Sequence, residues 1–149
     1  MRALGLDLGS RRIGVAVSDG DGRIATPVAT IERSRDHATD HRTIVQAIAE
    51  LLAEWDAQIV AVGLPLSLDG TLGPAAQKVL DEVTELTGTL GVPVETVDER
   101  FTTVTAEQQL RASGVTGRER ARVIDQVAAA LLLQSALGGA LLIPADQDQ

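Results

Sequence analysis

The stretch Ala3-Leu-Gly-Leu-Asp-Leu-Gly near the start of the chain constrains the fold most. It reads as a strand, and alternation puts Leu4, Leu6 and Leu8 on one face. The other face carries Ala3, Gly5, Asp7 and Gly9. The leucines need a core. A carboxylate is a poor strand residue, and glycine leaves a strand nothing to pack. Together they predict a central strand with open space above Asp7, room suited to a metal ion or a phosphate. The plainer reading is an aspartate satisfied by nearby turn amides.

The elements follow in order. Gly9-Ser10-Arg11-Arg12 is a turn into a second strand, Ile13 to Ser18. Asp19-Gly-Asp-Gly22 turns again, into a third strand from Arg23 to Glu32. Pro27 suits an edge there, since it cannot donate to the ladder. Ser34 or Asp36 caps a helix to about Trp55, with Ile44, Ile48, Leu51 and Leu52 at helical spacing. Gln58 to Leu64 reads as a buried strand. Pro74, pre-shaped for helix entry, opens a helix over Ala75 to about Thr87, with Val79, Val83 and Leu86 inward. Gly91 breaks it. Val92 to Val97 is the next strand and delivers Asp98-Glu99-Arg100. Thr102 or Thr103 caps a further helix through Leu110 to Ala112. Thr116 and Glu119 form a capping box for the last helix, which reaches about Leu137 and stops at Gly138-Gly139.

A meander followed by strand–helix alternation predicts an α/β fold, a mixed five-stranded sheet with helices on both faces. Strand one is then central. Asp7 lies near the point where connectivity reverses, a favoured place for ligands in open α/β sheets. The 149 residues suit one domain, expected over 1–143, with 144–149 a disordered acidic tail.

Composition narrows the function. Hydrophobic residues make up 44% of the chain, and no apolar run reaches membrane-spanning length. With no cationic-then-apolar leader either, the expectation is a cytoplasmic protein without a membrane partner. There is no cysteine, which leaves a monomer or a noncovalent homodimer and excludes thiolate metal sites. A net charge of −8 argues against broad electrostatic coating of nucleic acid. Yet every basic residue except Lys78 is arginine, the side chain suited to bidentate contact with phosphate or carboxylate. One Trp, one Phe and no Tyr argue against stacking bases on aromatics.

Three acids interrupt elements that otherwise read as core: Asp7, Glu99 and Asp125, the last in Val123-Ile-Asp-Gln-Val. A buried carboxylate is costly unless paired or bound to a metal. Three converging carboxylates with oxygen-only chemistry suit Mg²⁺ or Mn²⁺. Such an ion readies water for attack on a phosphodiester. The competing readings are a Glu99–Arg100 salt bridge and an Asp125–Arg122 pair. Arg11, Arg12, Arg100, Arg118 and Arg122 lie beside the acids and form a candidate rim for a nucleic-acid backbone. Two weaker signals remain. The loop Leu66 to Pro74 leads into a helix N-terminus, where amides could hold a phosphate. His37 and His41, with Asp36 and Asp40, could ligate zinc but read more simply as surface.

Four stretches together resemble the YqgF/RuvX family of bacterial nucleases. They are Gly5-Leu-Asp-Leu-Gly-Ser-Arg-Arg-Ile-Gly-Val-Ala, Gly63-Leu-Pro-Leu-Ser-Leu-Asp-Gly-Thr-Leu-Gly-Pro, Asp98-Glu-Arg-Phe-Thr-Thr and Val123-Ile-Asp-Gln-Val-Ala-Ala-Ala-Leu-Leu-Leu-Gln-Ser. The resemblance implies an RNase H-like fold and a metal-dependent nuclease that processes the 5′ end of pre-16S ribosomal RNA in the cytoplasm. It also implies kinship with RuvC Holliday-junction resolvases, which act on branched DNA. Asp7, Glu99 and Asp125 match the family's candidate acids. Ser67 stands where Asn is common and Phe101 where Leu is common; neither touches the acids. One rival is an actin-like ATPase or sugar kinase, whose phosphate loop also reads Asp-x-Gly, although that fold needs two large domains. Another is a non-catalytic nucleic-acid-binding module on the same scaffold.

Overall fold

The computed structural model describes residues 1–98 and 117–137. Five strands form one sheet: β1 (Arg2–Leu8), β2 (Arg12–Ser18), β3 (Ala25–Glu32), β4 (Ala57–Leu64) and β5 (Val94–Asp98). Three helices accompany them: α1 (His37–Trp55), α2 (Pro74–Leu90) and α3 (Gly117–Ser135). The strand order is β3-β2-β1-β4-β5. β1 runs antiparallel to β2 and parallel to β4, and β4 is parallel to β5. The central strand is therefore where antiparallel connectivity gives way to parallel, and Asp7 stands at its C-terminal end.

Local chemistry sets the boundaries. β3 starts at Ala25 and not at Arg23, because the Asp19 carboxylate accepts the Arg23 and Ile24 amides and keeps them in the turn. Pro27 lies on the outermost strand, as expected, beside an irregularity where Ala16 pairs with Pro27 after Val15 pairs with Ala29. Asp36, not Ser34, caps α1, accepting the Thr39 amide at 2.9 Å. α1 closes on Asp56 at φ 53, a conformation that aspartate tolerates better than most residues. α2 opens on Pro74 and runs to Leu90, three residues past the expected end. Only Gly91, at φ 74, supplies the left-handed stop. β5 begins at Val94 and not at Val92, with Pro93 outside the strand yet accepting the Val60 amide. The helix expected near 102–112 and the tail expected at 144–149 lie outside the described residues.

The two faces of the sheet are unequal. On one, Leu4, Leu6, Ile13, Val15 and Val17 pack with Ile44, Ile48 and Leu52 of α1 and Val79 and Leu86 of α2. On the other, Ala3, Ala16, Ala61 and Val97 meet Ala129, Leu133 and Ala136 of α3. Small residues on both partners let α3 settle close to the strands. Among the described residues no helix is long and apolar enough to cross a membrane.

Candidate active site

The space over Gly5 and Gly14, the small neighbours of Asp7, is not open. Gly5 has no side chain because α3 takes its place: a Cβ there would lie 2.8 Å from the Leu133 Cβ and 3.0 Å from the Ala129 carbonyl. Gly14 sits beside Asp7 in the β1–β2 register, and its missing Cβ would run into the Asp125 carbonyl oxygen. The expected vacancy is thus a helix seat. The small residues serve to bring the second acid up to the first.

α3 is tied down along its length. Gln126 donates to the Thr30 hydroxyl at 2.8 Å. Gln134 donates to the Arg23 carbonyl and accepts the Ala25 amide. Arg122, near the helix start, meets Glu32 at 3.3 Å, an exposed pair. Arg122, Gln126 and Gln134 each reach towards β3. Asp125, Ala129 and Leu133 share the stripe that faces β1 and β2.

Asp125 is paired, but not with Arg122. The Arg12 Nε donates to its Oδ2 at 2.7 Å. Sequence proximity favoured Arg122, but that side chain points towards the β3 edge while Arg12 rises from the start of β2. Asp7 feels the charge of Asp125. Burial, and then the charge of Asp125, push Asp7 from its ordinary 3.8 to about 6. Burial raises Asp125 as well, opposed by the Arg12 guanidinium and helped by Glu32. Among the described residues, no hydrogen bond reaches the Asp7 carboxylate. Two desolvated acids side by side favour a cation between them. Their oxygen donors fit a hard divalent ion of the Mg²⁺ or Mn²⁺ class. No group of three such ligands occurs among the described residues.

The other candidates fall as follows. Asp98 pairs in register with Leu64, which belongs to the α1–α2 core. Val97 faces α3. Asp98 therefore lies on the face away from Asp7. Glu99 and Arg100 lie outside the described residues. So does the side chain of Arg118. Arg11 is exposed on the turn after Asp7, and Arg12 is half-buried. The Ser67–Gly73 loop follows β4 at the same end of the sheet. It is closed on itself by the Ser67 amide on the Thr71 carbonyl and the Gly70 amide on the Ser67 carbonyl. His37 and His41 face Glu85 of α2 at 3.9 and 3.3 Å. Asp40, expected at the surface with them, is buried instead, because it accepts from the Ser34 amide and from Arg33.

Arg33 escaped sequence reasoning. It sits in the polar run Glu32-Arg-Ser-Arg-Asp, which reads as a solvated loop. The available signal was the pair of acids at helical positions, Asp40 and Glu82, but nothing local joins them.

Comparison with known proteins agrees with this architecture. The family model described as "RuvX: Holliday junction resolvase" matches residues 1–139. A relative from Streptomyces coelicolor, named "Putative pre-16S rRNA nuclease", is 52% identical over 137 residues, 91% of this chain and 79% of its own. A relative of the same name from Chloroflexus aggregans is 48% identical over 134 residues, covering 90% and 91%. Among solved structures, T. thermophilus RuvC in complex with Holliday junction substrate superposes with a TM-score of 0.58 at 20% identity, covering 95% of this chain and 98% of that one. That likeness shows the fold, an RNase H-like α/β sheet. The match along 139 residues and the identity to these relatives place the chain in the RuvX family.

Proposed function

We propose that this protein is a metal-dependent nuclease that hydrolyses phosphodiester bonds, with Asp7, Asp125 and Glu99 as its metal-holding catalytic acids. The observation that carries this is α3 seated on Gly5 and Gly14, which brings Asp125 against Asp7 at the centre of the sheet. Val97 faces α3 and Asp98 does not, so strand alternation favours Glu99 over Asp98 as the third acid. A bound Mg²⁺ or Mn²⁺ would supply an activated water and charge stabilisation at the leaving oxygen. The protein's part is to hold two carboxylates in place at the switch point. Arg12 steadies Asp125. Arg11, at the exposed turn, and Arg100, Arg118 and Arg122 are proposed contacts for backbone phosphates.

The substrate we favour is precursor 16S ribosomal RNA, because the relatives are named pre-16S rRNA nucleases; processing at its 5′ end in the cytoplasm follows from the family resemblance alone. Branched DNA is the second reading, favoured by the family description and by the fold of RuvC. The acids cannot choose, since both polymers present the same phosphodiester; groove shape and the 2′-hydroxyl do. Relatives matched over most of their length support a nuclease over the ATPase reading. The test offers the purified protein precursor ribosomal RNA, duplex DNA and a four-way DNA junction, each with Mg²⁺ and with Mn²⁺. Asp7→Asn protein serves as the contamination control. Cleavage of the RNA is expected. Paired cuts confined to the junction would replace RNA with branched DNA, and no cleavage in any arm would leave a binding module.

A second expectation separates the neighbours at the end of β5. Glu99→Gln should lose cleavage by roughly 10²-fold or more, the scale of a lost catalytic carboxylate. Asp98→Asn should keep most of it. Initial rates on the preferred substrate decide, and the reverse ranking would move the third acid to Asp98.

A further inference from the structure

The turn between β1 and β2 carries most of the site, since Asp7 precedes it and Arg11 and Arg12 lie on it. Its backbone leaves carbonyls to be satisfied, and one residue takes two of them. The Arg33 backbone amide donates to the Arg11 carbonyl at 3.0 Å. The Arg33 Nε donates to the Gly9 carbonyl at 2.6 Å. Gly9 in turn donates its amide to the Asp7 carbonyl at 3.0 Å. A short chain of hydrogen bonds thus runs from the Arg33 guanidinium to the backbone of Asp7.

The rest of that guanidinium is spoken for. Nη1 meets Asp40 of α1 at 2.9 Å and Glu82 of α2 at 2.8 Å, and Nη2 meets the other Glu82 oxygen at 2.7 Å. The Arg33 side chain is only 13% exposed. Such a fork, with four of its five N–H groups engaged, has one geometry. A side chain serving only to neutralise Asp40 and Glu82 would not also need the Gly9 carbonyl. Helices α1 and α2 lie on the face opposite α3. Asp7 is therefore approached from both layers, by Asp125 from one and by the Arg33 hub from the other.

We infer that Arg33 is a positioning residue of the candidate active site, fixing the Gly9–Arg12 turn that sets Asp7 and Arg12 against Asp125. The inference rests on the nuclease reading above. Groups that orient metal ligands from outside the ligand set typically change metal affinity or activity by about 10–100-fold when altered.

The test uses the full chain with Arg33→Lys, which keeps the positive charge opposite Asp40 and Glu82 but cannot also hold the Gly9 carbonyl. Mn²⁺ binding is followed by electron paramagnetic resonance. Turn mobility is followed by amide hydrogen exchange at residues 9 to 12. Leu52→Ala, a core truncation in α1 away from the turn, reports what stability loss alone does. The expected result is Mn²⁺ binding about tenfold weaker in Arg33→Lys, with faster exchange in the turn and kcat reduced more than KM is raised. Leu52→Ala should bind Mn²⁺ as wild type does. Glu82→Gln, which frees one arm of the fork, should show a smaller loss in the same direction and stands in if Arg33→Lys does not fold. Wild-type Mn²⁺ affinity and turn exchange in the folded Arg33 or Glu82 variant would overturn the inference. Wild-type protein that binds no Mn²⁺ would instead overturn the metal reading, and faster turn exchange in Arg33→Lys would then still support the clamp.

Discussion

Asp7→Asn is expected to abolish cleavage while making the metal-free protein more stable at neutral pH. The two effects share one cause. Asp7 is desolvated by α3 and faces the charge of Asp125, and its pKa stands at about 6 instead of 3.8. The fold thus penalises its charged form. For a carboxylate raised in this way, the proton is held more tightly in the folded state. The stability it lends is fully present below about pH 4 and is lost as pH rises through about 6. An amide has no charge to lose. At roughly 1.4 kcal/mol per pKa unit, the asparagine variant should gain up to about 3 kcal/mol over metal-free wild type at pH 7 and nothing at pH 4. Melting curves at the two pH values measure this. Activity should move the other way. Losing a metal ligand forfeits several kcal/mol of transition-state stabilisation, which is about 10³-fold or more in rate. Added Mn²⁺ should raise the melting temperature of wild type and not of the variant. Equal stability at pH 7 would show that Asp7 is not strained, and undiminished metal-dependent cleavage that it is not a ligand.

Much of this architecture is legible in the residues, and the parts that are not have a common reason. Alternation in β1 and β2, Pro74 at a helix entry and Gly91 at a helix exit are signals carried within a few residues, and each lies where the pattern puts it. The prominence of Asp7 among glycines is also local. What the glycines accommodate is not. A missing side chain looks the same in sequence whether the space stays open or a helix fills it, and Leu133 and Asp125 lie more than a hundred residues on. The partner of Asp125 is hidden likewise: Arg122 is one helical turn away, whereas Arg12 is 113 positions away. Arg33 is the strongest case. Charge runs usually lie in solvent, and its acidic partner Glu82 is 49 positions distant. Only the closing of α1 and α2 over the sheet makes that charge an interior one.

Gly14→Ala tests the helix seat itself, and a large loss of both stability and activity is expected. The Cβ added at Gly14 would meet the carbonyl oxygen and carbon of Asp125 and the amide nitrogen of Gln126. All three are backbone atoms, so no rotamer change can relieve the collision. The helix must rise or the strand must sink. The helix is held on its other side by Gln126 on Thr30 and Gln134 on the start of β3, which resist a simple tilt. Overpacking costs about 1–3 kcal/mol in ordinary cores, and here the upper end or beyond is expected. For a chain of this size that is a fall in melting temperature of roughly 6–12 °C. Activity should fall further than the folded fraction. A displacement near 1 Å that separates catalytic groups can cost about 10²-fold, and Asp125 is the residue pushed away. Gly88→Ala provides the comparison. It lies within α2 with nothing near its missing Cβ. Alanine there should be neutral or stabilising by up to about 1 kcal/mol, from helix propensity alone. The pair of variants separates backbone freedom from steric need. Should Gly14→Ala melt and cleave like wild type, α3 would stand farther from β2 than this packing allows, and the close approach of Asp125 to Asp7 would fall with it.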